Sequence, residues 1–117
     1  MVHNGQTTTV EKAELHDVAM PFLTAMYSEF KEFSKKKPDG TVNKAKIKVV
    51  NRLLEKCRDV LHDEMSIEYL DLLDEDDVPQ NSDVVLMLSQ YVAAMEQFHS
   101  VYFRWSGVEH CWAIEDN

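Results

Sequence analysis

Apolar residues in this chain recur every three to four positions over three long stretches, and little interrupts them. Leu15, Val18, Ala19, Phe22, Leu23, Met26, Phe30 and Phe33 make the first series; Ile47, Val50, Leu53, Leu54, Cys57, Val60 and Leu61 make the second. The third is Val84, Leu88, Tyr91, Val92, Met95, Phe98, Tyr102 and Trp105, widened by Val85, Leu86, Met87, Ala94, Val101 and Phe103. Side chains three and four apart share one helix face, so each series predicts one buried stripe. Three Gly and three Pro in 117 residues leave few breaks for a many-turned β fold. No stretch alternates as a strand would. The expected fold is all-α: one compact bundle domain over residues 1–117, of three long helices plus one short helix.

Local signals place the ends. Residues 1–7 read as a frayed lead-in, and Thr8 or Thr9 as the first helix cap. Pro21 sits inside the first series, where it should kink or divide the helix. Lys35-Lys36-Lys37 suits a helix C-terminus, and Pro38-Asp39-Gly40 is turn chemistry. The second helix is expected from Val42 to Glu64. A short helix follows from Ser66, its cap, to Asp74, with Ile67, Leu70 and Leu73 inward. The last helix runs from Ser82 to Trp105 and stops at Gly107; residues 106–117 close the chain. That last helix is apolar around much of its circumference, which predicts a central position or a second face at a homodimer interface.

Charge is segregated. Net charge is −9, yet residues 31–58 hold ten bases against three acids, and residues 59–117 hold fourteen acids against Arg104 alone. An acidic chain repels phosphates, so nucleic acid is not an expected partner except at a local basic patch of Lys44, Lys46, Lys48 and Arg52. No apolar run approaches the ~20 residues of a membrane span. The first six residues lack the basic and apolar regions of a signal peptide. Cys57 and Cys111 are too few for a disulfide framework, and with these features the expected setting is reducing and cytoplasmic.

The run Asp71, Asp74, Glu75, Asp76, Asp77, Asp83 invites a calcium reading. A calcium-binding helix-loop-helix needs Gly at the sixth position and Glu at the twelfth. Counted from Asp71 these are Asp76 and Ser82; counted from Asp74, the sixth is Pro79. The pattern fails. What stands is a solvated join between helices or an acidic contact for a basic partner. Glu96 and His99 form an E-x-x-H on one helix face, which resembles half of a di-iron carboxylate site. No second copy exists, so they are the weak metal candidates in a chain with no expected metal or other cofactor. Gly-rich phosphate loops, G-x-S-x-G and C-x-x-C are missing too.

Arg104-Trp105-Ser106-Gly107-Val108-Glu109-His110 places an Arg and a His five residues apart at the end of a helical domain. This resembles the R-x(4–6)-H motif of HEPN-family ribonucleases. The resemblance implies phosphate stabilisation by Arg104 and proton transfer at a 2′-hydroxyl by His110, without metal. Trp105 and Gly107 depart from the family pattern. The leading expectation is instead a small acidic, non-catalytic protein-interaction module of inhibitor, antitoxin, immunity or regulatory type. It would act through the charged edge Asp71, Asp74, Glu75, Asp76 and Asp77 and an apolar helix face, on a partner with a basic surface.

Overall fold

The computed structural model describes residues 6–115. The chain is predominantly helical. Helix α1 spans Val10–Lys36, α2 spans Lys44–Val60 and α3 spans Asn81–Tyr102. Strands β1, Phe103–Trp105, and β2, His110–Trp112, form an antiparallel hairpin. α1 packs against both other helices, and its length sets the molecular extents of 49 × 23 × 23 Å. The expected lead-in lies in part outside the described residues. Its described end is held in place: Thr8 is buried, donates from its N–H to Ala113 O at 2.9 Å and accepts from Glu115 N–H.

The caps follow the chemistry of the chain. Thr9 Oγ1 accepts from Lys12 N–H at 3.1 Å and starts α1; Asn43 Oδ1 accepts from Lys46 N–H at 2.9 Å and starts α2. These side chains satisfy amide donors that a helix start leaves unpaired. Pro21 does not divide α1. It lies on the exposed side, where its ring meets solvent rather than a packed neighbour. Lys35 and Lys36 end α1, followed by a turn at Pro38-Asp39.

That turn is stitched to the start of α3. Asn81 N–H donates to Gly40 O at 2.8 Å, Val42 N–H to Pro79 O at 2.9 Å, and the Asn81 side chain to Lys37 O at 2.9 Å. A Cβ on Gly40 would stand 2.9 Å from Asn81 Nδ2 and would push the Asn81 side chain off its bond to Lys37 O. Gln80 N–H donates to the Asp83 carboxylate at 2.8 Å, and α3 begins there. The chain therefore runs along α1, back along α2, returns through residues 61–80, and descends again through α3.

The return differs most from expectation. In place of an α-helix from Ser66 to Asp74 there is a 3₁₀ turn at Met65–Tyr69, capped by no side chain, then extended chain, then a second 3₁₀ turn at Glu75–Asp77. The inward residues stay inward: Leu70 and Leu73 are buried and Ile67 partly so. Extended chain cannot bond to itself, so flanking helices supply the partners. Arg58 donates to Leu70 O, Tyr91 Oη donates to Asp71 O at 2.8 Å, and Asn51 bonds Leu73 twice. In that pair Asn51 Nδ2 donates to Leu73 O at 2.8 Å while Leu73 N–H donates to Asn51 Oδ1 at 2.9 Å. The segment thus fills the seam between α2 and α3.

The last helix also ends earlier than its apolar pattern. Phe103 leaves the helix, and the register pairs Phe103 with Trp112, Arg104 with Cys111 and Trp105 with His110. Gly107, at φ +102°, makes the turn possible. The core joins Leu23, Ile47, Val50, Leu54, Cys57, Leu88, Tyr91, Met95 and Phe98 across all three helices. Burial pushes the Cys57 thiol up to about 12, so it stays a neutral, unreactive sulfhydryl; both cysteines are free.

Asn51→Ala removes both partners of Leu73 and should cost about 1–3 kcal/mol in chemical denaturation. Asn51→Asp, which sets a carboxylate oxygen against the Leu73 carbonyl, should cost at least as much as Asn51→Ala. Wild-type stability in Asn51→Ala would mean that the clamp contributes nothing.

Candidate functional site

The return segment positions the acidic residues. With Leu70 and Leu73 turned inward, Asp71 and Asp74 face solvent, and the second 3₁₀ turn carries Glu75, Asp76 and Asp77. Asp74 Oδ1 accepts from Asp76 N–H at 2.9 Å, which fixes that turn. Asp71, Asp74, Asp76, Asp77 and Asp83 are exposed; Glu75 is half-buried. Asp71, Asp74, Asp77 and Asp83 gather round a shallow depression with Leu72, Leu73, Pro79 and Met87. Val78 closes the turn at φ 49°, ψ 65°, a left-handed conformation that disfavours a β-branched side chain. Strain is therefore stored beside the acidic edge.

The basic patch lies on the neighbouring helix. Lys44, Lys46, Lys48 and Arg52 are all exposed on α2. Lys44 Nζ reaches Asp76 at 3.7 Å across open surface, a pair of small energetic consequence in high dielectric. Lys48, four residues on, shares the Lys44 face, whereas Lys46 projects from the other side of α2. Charge segregation in the chain is therefore retained on the surface.

Arg104 and His110 are not brought together. In an antiparallel pair, directly opposed residues share a face and neighbours along the strand alternate. Trp105 and His110 are opposed and touch edge to face, with ring centroids 5.3 Å apart. Arg104 is opposed to Cys111, on the other face, and donates to Val101 O at 2.9 Å. The two thus sit on opposite sides of the hairpin.

Glu96 and His99 share an open depression with His16, Met20 and Ser100. Among the described residues, no group of three or more His, Cys, Asp or Glu is arranged to hold a metal ion. The sequence pattern did not single out His16, which is buried in α1, its Nε2 donating to Met95 O at 2.9 Å. Its ring lies 5.7 Å from Phe98, 5.7 Å from His99 and 5.1 Å from Trp112. Trp112 Nε1 in turn donates to the Asp17 carboxylate at 3.1 Å. This aromatic cluster fastens the hairpin to α1 and α3. A histidine in the middle of an apolar series was the available signal.

Elsewhere, Tyr102 Oη donates to Glu64 at 2.9 Å, and burial followed by that carboxylate pushes its phenol up to about 12. Lys12 pairs with Asp63 and, as the first cause, holds that exposed carboxyl below its usual range. No helix among the described residues is long and apolar enough to cross a membrane. Compared with known protein families, with curated proteins and with solved structures, the chain matches none.

Burial lowers the His16 pKa below its ordinary 6.5, outweighing the Met95 carbonyl and Asp17, which favour the charged form; His99 disfavours it. The unfolded chain then binds the proton more readily than the folded one. The stability this provides is complete above pH 6.5 and is lost as pH falls below it. Thermal melts should therefore drop between pH 7.5 and 5.5, and His16→Gln should flatten that drop. An equally steep drop in the variant would contradict the assignment.

Proposed function

We propose that this chain is a small, non-catalytic protein-interaction module, a single helical-bundle domain of the cytoplasm that docks a partner's basic surface against its acidic edge. The observation that carries this reading is the clamped return segment. Asn51, Arg58 and Tyr91 hold the backbone at Leu70, Asp71 and Leu73, and the exposed carboxylates beside it project from a fixed frame. A preordered acidic ridge loses little conformational freedom on binding, so more of its electrostatic attraction survives as affinity. The surrounding negative field speeds encounter with a basic partner, and the fixed spacing sets its orientation.

A basic partner surface of this kind includes the nucleic-acid-binding face of an enzyme, which an inhibitor, antitoxin or immunity protein would cover. Arg104 and His110, on opposite faces of the hairpin, add nothing to this function.

The test uses the partner recovered with the chain from its native host and identified by mass spectrometry. Asp76→Lys with Asp77→Lys should weaken binding about tenfold or more and make it less sensitive to salt. Asp74 is spared because its carboxylate caps the turn. Unchanged affinity with an unchanged salt slope would exclude the acidic edge as the binding surface.

A further inference from the structure

The first apolar series is wider than the stripe it buries. Leu23 and Phe30 face the core, but Val18 is 61% exposed, Phe22 65% and Phe33 36%; on α2, Val49 is 48% exposed. These side chains line two adjoining depressions that share Phe22, Met26 and Val49 and run along the α1–α2 junction. The groove is distant from the acidic edge: Val49 and Asn51 project about 200° apart around α2 at 3.6 residues per turn.

Its two walls differ in charge. Glu29 lines the groove from α1, with Glu11 and Glu14 exposed nearer the start of that helix, while Lys46, Arg52 and Lys56 line it from α2. We propose that this face is a homodimer interface, its occupant a second copy of the same chain. The charge pattern selects the arrangement. Laying α1 on the second copy's α1 would set acid wall on acid wall. A two-fold axis parallel to the helices instead lays each α1 antiparallel on the other copy's α2, acid wall on basic wall, twice over.

The register follows from the single chain. Glu29 and Lys46 line one depression, with Lys46 Nζ 5.1 Å from the Phe33 ring centre one turn further along α1, and Leu15 and Lys56 line the other. That axis preserves height, so Glu29 of one copy meets Lys46 of the other and Glu14 approaches Lys56. Phe22 and Val49 fall at the centre, where an aromatic anchor is most effective. The result is a four-helix interface with both acidic edges left outside. It moves self-association from α3, where the sequence pattern placed it, to α1 and α2.

Sedimentation equilibrium of the full chain decides the matter, at concentrations up to about 200 μM, where even micromolar association is populated. The wild type should sediment as a dimer. Phe22→Asp should weaken it by at least about 30-fold, as loss of an aromatic anchor does, with helical circular dichroism retained. If Phe22→Asp loses helicity, Val18→Asp carries the same reading. Glu29→Lys should weaken association about 5-fold, and adding Lys46→Glu to the same chain should restore it. A monomeric wild type overturns the proposal. So does a dimer that survives both aspartate variants, one abolished by Leu86→Asp on α3, or a charge swap that fails to restore. Because Asp76 and Asp77 are untouched, failure here leaves the acidic-edge reading standing, and the reverse holds.

Discussion

Beyond Leu70 N–H, which closes the 3₁₀ turn on Ile67 O at 3.3 Å, the backbone of residues 70–73 leans on side chains for its hydrogen bonds. Leu70 and Leu73 are buried between α2 and α3, so water is not available to their peptide groups. Asn51 answers Leu73 with both a donor and an acceptor, in the manner of an adjacent strand. Arg58 and Tyr91 cover Leu70 and Asp71 from either side. With these groups satisfied, two leucines can close the seam between helices that otherwise touch little. Without them, burial of the leucines would strand polar groups at about 1–3 kcal/mol each.

The same constraint accounts for the surface. Leu70 and Leu73 turn inward while Asp71 and Leu72 between them stay exposed, and the 3₁₀ turn that follows groups three more carboxylates. Their mutual repulsion and the left-handed Val78 both oppose this shape, and the clamp and the stitching at Gly40 and Asn81 offset them. Lys44 and Lys48 stand on the side of α2 that carries Asn51, close to the acids, and Lys44 pairs with Asp76 across exposed surface. Two surfaces of different character result, one acidic and preordered, the other apolar and walled by opposite charges. They lie on opposite sides of α2.

Helix existence was legible from periodicity, and Thr9, Asn43 and the Pro-Asp-Gly turn give the ends physical causes. The return segment was not legible as a structure, although its buried residues were. Ile67, Leu70 and Leu73 are spaced for a helix, and three points at that spacing also suit a 3₁₀ turn followed by extended chain. What decides between them is Asn51, some twenty residues away. The hairpin escaped because strands of three residues are too short to alternate visibly, and because Tyr102, Phe103 and Trp105 continue an apolar helix pattern. Its register then separates Arg104 from His110, which no linear spacing reveals. Periodicity likewise ranks Phe22 with Leu23, since it records that a residue is apolar and not which body covers it. Of the site, the acidic residues could be read directly, whereas the groove needed the geometry.

Amide hydrogen exchange at Leu73 tests the clamp most directly. Its N–H donates to the Asn51 side chain at 2.9 Å, so its protection reports whether the segment is fixed. The account predicts exchange within about tenfold of the α2 core amides at Leu54 and Cys57, the behaviour of a group released only by global opening. Exchange near the rate of an unprotected amide would show a segment that opens on its own, and would contradict a preordered acidic edge.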